Sequence, residues 1–341
     1  MIKHDININK LLLSWLTITI ILVFFTIIIG GLTRLTNSGL SITEWELFKG
    51  ILPPMTQTAW NNYFDLYKKI PQFQLLNNTM DLAEFKIIFY WEYAHRILAR
   101  LIGIFFIIPL VYFYLSKKIT KNYMNTCYVV LGLIIFQGIV GWYMVKSGLV
   151  NNITVSHYRL SLHLITALSI ISIIFWLILN IKNNTQINFF NFSFENTPYL
   201  ILIFLIFIQI ILGAFVSGLD AGQLYQTWPL MGYSFFPDDL DYGALKTFFD
   251  FDSHSMVQFY HRNMAYFISV YMIVLSFTIF KKKYRNLYQS LVIMITILFL
   301  QIFLGICTLI SGLNIFLASA HQITSVLLVF STIYLYYSKV K

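Results

Sequence analysis

Four histidines carry most of the chemistry that this sequence offers. His95, His163, His261 and His321 each stand one or two helical turns inside the outer end of a long apolar run. Ionisable groups at that depth are costly unless they have a partner or a task. Taken in pairs, they bring two imidazoles from different helices to a similar depth in each half of the chain. Two opposed imidazoles and an apolar slot suit the axial ligation of a haem. Zinc asks for three or four ligands, and no cysteine or carboxylate set supplies them in the second half. Copper held by three histidines fails because no adjacent histidine pair exists. One such histidine alone would read as a core residue bonded to a neighbouring helix; four at matched depth favour haem. His4 lies in the N-terminal tail and is read as inert, and His157 and His254 lie just ahead of the fourth and sixth runs.

Charged neighbours sharpen the picture. In WEYAHR, Glu92 precedes His95 by one turn and so shares its helix face. The second half keeps the histidine in QFYHR but has Gln258 where the carboxylate would be. Two pockets with the same task would have no reason to differ in an ionisable group. A carboxylate at the rim of an apolar site can accept a proton or stabilise developing positive charge. The plainer reading is a solvated glutamate favoured by the helix dipole. Arg96 and Arg262 follow the two histidines and either bind carboxylate arms of a haem or reach for lipid head groups. Arg100 and Arg159 take the head-group reading.

The elements that must position these groups follow from composition. The 341-residue chain is 58% hydrophobic and 11% charged, against about 25% charged residues in soluble domains. Eight apolar runs, near 11–31, 88–114, 124–145, 161–181, 198–217, 257–280, 287–310 and 315–337, are each long enough to cross a bilayer. The net charge of +9 does not imply nucleic acid. Lys3, Lys10, Lys117, Lys118, Lys121, Lys182, Lys281, Lys282, Lys283, Arg285, Lys339 and Lys341 all fall on one side of an alternating eight-helix topology. The positive-inside rule makes that side cytoplasmic, with both termini. The opposite segments hold Asp220, Asp238, Asp239, Asp241, Asp250 and Asp252. The N-terminus has neither transit-peptide nor cleavable-signal character, so a bacterial inner membrane is expected. Cys127 and Cys307 fall near opposite ends of their runs and are expected to be unpaired fillers.

A diverged internal repeat organises these runs. Gly30, Asn37, Gly39, Trp45 and Pro54 match Gly213, Asp220, Gly222, Trp228 and Pro237 at an offset of 183. EYAHR matches QFYHR at 166, QGIVG and SGL match QIFLG and SGL at 164, and His163 matches His321 at 158. Ile315 stands opposite His157, so the repeat selects His163 as the ligand of the fourth run. The Gln-x-x-x-Gly pairs in runs three and seven read as close helix packing. The expected fold is an all-α polytopic membrane protein of eight transmembrane helices. They form two tandem four-helix bundles, 1–182 and 183–341, related by a pseudo-twofold axis along the membrane normal. Long outer segments, near 32–87 and 218–256, carry the turn chemistry.

Two other functions compete. A dihaem cytochrome b that passes electrons explains four histidines but not Glu92 against Gln258. A tandem-repeat transporter would put polar groups and broken helices near the midplane, and none is visible.

At these residues the sequence resembles the haem A synthase family, in its alphaproteobacterial and mitochondrial branch. The likeness covers nearly the whole chain. It rests on GGLTRLTNSGLSITEW (30–45), EFKIIFYWEYAHRILARLIG (84–103), VSHYRLSLHL (155–164), GLDAGQLYQTWPLMG (218–232), QFYHRNMAY (258–266) and SAHQ (319–322). The resemblance implies an enzyme that oxidises the C8 methyl of haem O to the formyl of haem A, by two hydroxylations and loss of water from a gem-diol. It implies a resident haem b on His261 and His321, a substrate site at His95 and His163, and an essential carboxylate at Glu92. A haem O synthase is the implied pathway partner, an electron acceptor is required, and a homo-oligomer is compatible with the family. Some relatives carry a cysteine pair in the first outer segment; this chain has none there.

Overall fold

The computed structural model describes residues 6–44, 49–151, 153–240, 243 and 245–341. Lys3, His4, Trp45 and Asp241, named above, lie outside them. Among the described residues there are ten α-helices and no strand. Eight are long and apolar enough to cross a membrane: α1 (Ile6–Leu35), α4 (Leu82–Ser116), α5 (Lys121–Asn151), α6 (His157–Asn183), α7 (Thr197–Gly218), α8 (His254–Lys281), α9 (Tyr288–Ile310) and α10 (Ile315–Val340). Side chains such as Ile107, Ile108, Ile139, Ile273, Phe277 and Phe299 lie exposed along them. Exposed apolar surface of that kind is stable against hydrocarbon, where a helix satisfies its own backbone. This is a multi-pass helical membrane protein.

Two compact units divide the chain near residue 174, inside α6. In the first, α1 packs on α4 and α4 on α5; in the second, α7 packs on α8 and α10 on both α9 and α7. The repeat extends to the backbone. Asn37 and Asp220, matched at offset 183, both adopt the left-handed conformation, at φ 51° and 53°. Asn and Asp tolerate that region better than other non-glycine residues. Lys117 and Lys283, matched at 166, do the same at φ 52° and 53°.

The first outer segment is more than turns. Thr56 caps α2 (Gln57–Tyr67), and Pro71 opens α3 (Pro71–Leu76). With the start of α4 they bury Trp60, Phe64, Tyr67, Ile70, Phe85, Ile88 and Phe89 around Leu40 and Ile42. An Asp81–Glu84 capping box starts α4 at Leu82, six residues ahead of the apolar run. In this way, residues 40–42 are carried on a small apolar core beside Glu92. Cys127 is buried and Cys307 half-buried, and both are free.

Candidate haem sites

Each of the four histidines rests on a glycine of a neighbouring helix. A Cβ added to Gly30 would lie 2.9 Å from His95 Cε1, and one on Gly141 would lie 3.0 Å from His163 Cε1. The matching distances are 3.0 Å from Gly213 to His261 and 2.8 Å from Gly305 to His321. Cβ contacts below 3.0 Å essentially never occur and 3.0 Å is tighter than most, so glycine is what lets each imidazole come so close to the helix axis without a shift. The Gln-x-x-x-Gly pairs of α5 and α9 are thus seats for His163 and His321 as well as packing motifs. Their counterparts are Thr26-x-x-x-Gly30 on α1 and Gln209-x-x-x-Gly213 on α7. The sequence signal was the glycine four residues after a polar side chain, repeated four times; its meaning needed the partner helix.

The seated rings come together in pairs. His95 and His163 have ring centroids 6.3 Å apart with planes at 67°, and His261 and His321 stand 6.4 Å apart at 84°. A metal–imidazole bond of about 2 Å on each side, plus about 1.1 Å from nitrogen to ring centre, calls for about 6.3 Å. Both pairs therefore fit a planar metal group held between two imidazoles. No cluster of three or more histidine, cysteine or carboxylate side chains suited to a metal occurs among the described residues. That donor set suits haem and leaves zinc without ligands.

The polar atoms behind the rings differ between the pairs. In the second unit, Gln209 Nε2 lies 3.2 Å from His261 Nδ1 and donates to the His261 carbonyl at 3.0 Å. His321 Nδ1 donates to the Gln301 carbonyl at 3.0 Å, and Gln301 Nε2 lies 3.4 Å from His321 Nε2. In the first unit, Nδ1 of both His95 and His163 is buried with no hydrogen bond. The Thr26 hydroxyl instead donates to Leu22 O of its own helix at 2.8 Å.

Glu92 is 3% exposed, so it is no solvated helix-start residue. Its Oε2 accepts from the Ser41 hydroxyl at 2.7 Å and from the Ile42 N–H at 2.8 Å. Its Oε1 accepts from Arg96 Nε at 2.9 Å and Nη2 at 2.5 Å. The same guanidinium donates to Ile42 O at 2.9 Å and Glu44 O at 3.5 Å. In the second unit, Arg262 donates to Tyr225 O at 2.8 Å and Thr227 O at 2.8 Å, the repeat positions of Ile42 and Glu44. Gln258, also 3% exposed, donates to Tyr225 O at 2.9 Å. Its Oε1 and the Arg262 Nε are buried without partners. The amide thus keeps the tie to the outer segment but loses the ion pair. Leu224 stands where Ser41 would be, so three polar positions separate the two sites: Thr26 from Gln209, Ser41 from Leu224 and Glu92 from Gln258.

The arginines therefore act first as clamps on the outer segments. Arg159 lies 4.6 Å over the Tyr143 ring and donates to the Ser147 hydroxyl. His157 is buried against Tyr158, with ring centroids 4.0 Å apart. In the second outer segment, Tyr225 donates to Asp238 at 2.5 Å and Asp239 at 2.8 Å. Burial, followed by these two carboxylates, pushes its phenol well above the ordinary range.

Comparison with known proteins places the whole chain in one family. The family model described as COX15-CtaA, cytochrome oxidase assembly protein, matches residues 13–333. A heme A synthase of Pelagibacter ubique is 50% identical over 331 residues, covering 97% of both chains. Heme A synthases of Rickettsia africae and Flavobacterium psychrophilum are each 38% identical, over 335 and 336 residues. They align with 96% of this chain and with 98% and 97% of their own lengths.

Proposed function

From the premise that the chain belongs to the COX15-CtaA family of cytochrome oxidase assembly proteins, we propose that it is a haem A synthase. It oxidises the C8 methyl of haem O to the formyl of haem A for cytochrome oxidase. The observation that carries this is a pair of bis-histidine seats of matching geometry, 6.3 and 6.4 Å between centroids, of which the first alone has a buried carboxylate at its rim.

In this reading His261 and His321 hold a resident haem b, and His95 and His163 receive the substrate haem. A bound haem would supply electron transfer at the second site. The protein residues supply position and charge. Gly30 and Gly141 set the depth of the two first-site imidazoles. The α2–α3 core holds Ser41 and Ile42 against Glu92 and keeps water from that rim. Oxidation of a methyl carbon removes electrons and protons from it. The Glu92 carboxylate accepts a proton and balances positive charge developing nearby, an effect strengthened by low local dielectric. Arg96 and Arg262, already facing the outer segments, bring positive charge suited to haem carboxylate arms. An electron acceptor and a haem O synthase are the partners required by the chemistry, and the protein works as one chain or as a homo-oligomer.

The two halves, 1–182 and 183–341, are taken as four-helix bundles related by a pseudo-twofold axis along the membrane normal. Both termini lie in the cytoplasm of a bacterial cell, and the haem sites lie toward the periplasmic face of the inner membrane. The deciding experiment expresses the chain in a strain lacking its own haem A synthase but producing haem O, then extracts and chromatographs the haems. Haem A is expected in the membranes, and haem B with haem O or haem A in the purified protein. Haem B alone, with no haem A formed, would refute the enzyme and leave a dihaem cytochrome.

A further inference from the structure

We propose that Phe190, Phe192 and Phe194, in the segment that joins α6 to α7, form an aromatic wedge that enters the boundary between head groups and acyl chains of the bilayer. The proposal rests on the membrane spans described above and is independent of the haem chemistry.

The three rings are 71%, 75% and 95% exposed. In a loose loop such exposure would mean little, but this segment is held at nearly every second residue. Asn180 Oδ1 accepts from the Thr185 hydroxyl at 2.8 Å and from the Ile187 N–H at 3.0 Å. The Ile187 carbonyl accepts from Trp176 Nε1 at 2.9 Å and from Asn180 Nδ2 at 3.1 Å. The Tyr336 hydroxyl donates to the Phe189 carbonyl at 2.6 Å and accepts from the Asn191 N–H at 3.3 Å. Glu195 closes the segment, accepting from Lys339 at 2.8 Å and from Tyr284 at 3.0 Å. Phe189 turns inward, its ring centroid 5.0 Å from that of Trp176 and 5.7 Å from that of Tyr336. In an extended chain, successive side chains take opposite faces, so the clamp that buries Phe189 turns Phe190, Phe192 and Phe194 the other way.

The same anchors set the depth of the rings. Helix α6 ends at Asn183, yet Ile187 and Phe189 reach back to Trp176, about 10 Å up the helix from its end. Tyr336 stands one turn before the end of α10, and a helical tyrosine leans toward the N-terminus of its helix, here further into the membrane. The segment therefore folds back alongside the spans instead of projecting away from them. Ile201 and Phe204, in the first two turns of α7, are exposed as well and continue the apolar surface into the span. Beside an exposed span face, the medium that accepts such surface is lipid. Aromatic side chains that sink about 5–10 Å into the boundary bury their apolar area there. Lys182 and Lys341, at the ends of α6 and α10, bring cations to the level of the lipid phosphates.

The test uses the full-length protein, with Cys127 and Cys307 replaced by alanine, in vesicles of phosphatidylcholine and phosphatidylglycerol. Phe192→Cys, which spares the flanking rings, carries a nitroxide whose collisions with oxygen and with a water-soluble nickel complex report its depth. Asn286→Cys, exposed in the turn between α8 and α9, gives the value for water. At position 192 oxygen is expected to dominate, with nickel collisions several-fold below those at position 286. Nickel collisions equal to those at position 286 would put the segment in water and overturn the proposal. Few collisions with either reagent would mean that protein covers the rings, as in contact with a second copy, and would overturn it too. Adding Phe190→Ser and Phe194→Ser should raise nickel collisions at position 192 several-fold while helix content, read by circular dichroism, stays the same. An unchanged depth without those rings would show that they do not hold the segment in the bilayer, and the wedge is then refuted. If that combined variant fails to insert, Phe194→Ser alone is read in the same way, with a smaller rise expected and no rise overturning the proposal.

Discussion

Replacing Glu92 by glutamine places in the first unit the group that the second unit already has, and the structure says what the change removes. The carboxylate accepts four hydrogen bonds, from Ser41, Ile42 and twice from Arg96. A glutamine in the Gln258 manner would turn its amide nitrogen to the Ile42 carbonyl and leave Arg96 Nε unpaired, as Arg262 Nε is. Breaking a buried ion pair from one side costs 3–5 kcal/mol where nothing compensates. Here loop carbonyls compensate, as they do for Arg262, so a loss of about 1–3 kcal/mol is expected. The protein should still insert and keep haem b.

Haem A formation should fall much further, because an amide neither accepts the proton nor balances a cation. A 100-fold loss corresponds to about 2.7 kcal/mol of transition-state stabilisation. The assay is the ratio of haem A to haem B in extracted membranes, with haem O or a hydroxylated haem accumulating. Anchoring of residues 41–44 is the rival role for Glu92, and Ser41→Ala weakens that anchor while sparing the carboxylate. Glu92→Gln should be far the worse of the two, and the double variant close to Glu92→Gln alone. Equal losses in the two single variants, or near-normal haem A from Glu92→Gln, would refute the catalytic assignment. Gln258→Glu should create no second active site.

The ligand histidines should divide by unit: His261→Leu or His321→Leu removes the low-spin spectrum of the purified protein, whereas His95→Leu or His163→Leu abolishes haem A and leaves most haem b. Gly305→Ala, which sets a methyl 2.8 Å from His321 Cε1, should displace that ring and weaken the same low-spin signal, while Gly132→Ala, whose added Cβ meets nothing within 4 Å, should leave it intact. For topology, single cysteines at Lys118 or Lys282 in a cysteine-free background should be labelled only after the inner membrane is opened. Those at Lys68 or Asp239 should react in intact spheroplasts, and the reverse pattern would place the histidines near the cytoplasm.

Spans and ligand candidates were legible because their signals are local and one-dimensional. Hydropathy over about 20 residues finds a span, and a histidine in a span is conspicuous by its cost. The repeat then selected His163 over His157 without any geometry. What escaped was contact between segments distant in sequence. Ser41 and Glu92 are 51 positions apart, and nothing in either motif says that a hydroxyl and a carboxylate will meet. Helices α2 and α3 were hidden in an outer segment rich in Asn and Pro, although Thr56 before an aromatic-bearing run was a start signal of the kind that caps helices. The contacts of Arg159 with Tyr143 and Ser147 were equally hidden, because a single arginine near a span end carries no mark of its partner on the next helix.

The glycines show the same limit from the other direction. In a membrane span, Gly141 and Gly305 read as close packing, and close packing is what they do; the neighbour that they admit is an imidazole. Once the seat is known, the polar residue four positions earlier acquires a meaning that spacing could not assign. At three of the four seats it is glutamine, and at the fourth it is Thr26. That exception and Glu92 converge on His95 from α1 and from its own helix. A swap of Glu92 with Gln258 therefore sets carboxylate against amide at two seats of matching geometry, 6.3 and 6.4 Å between ring centroids.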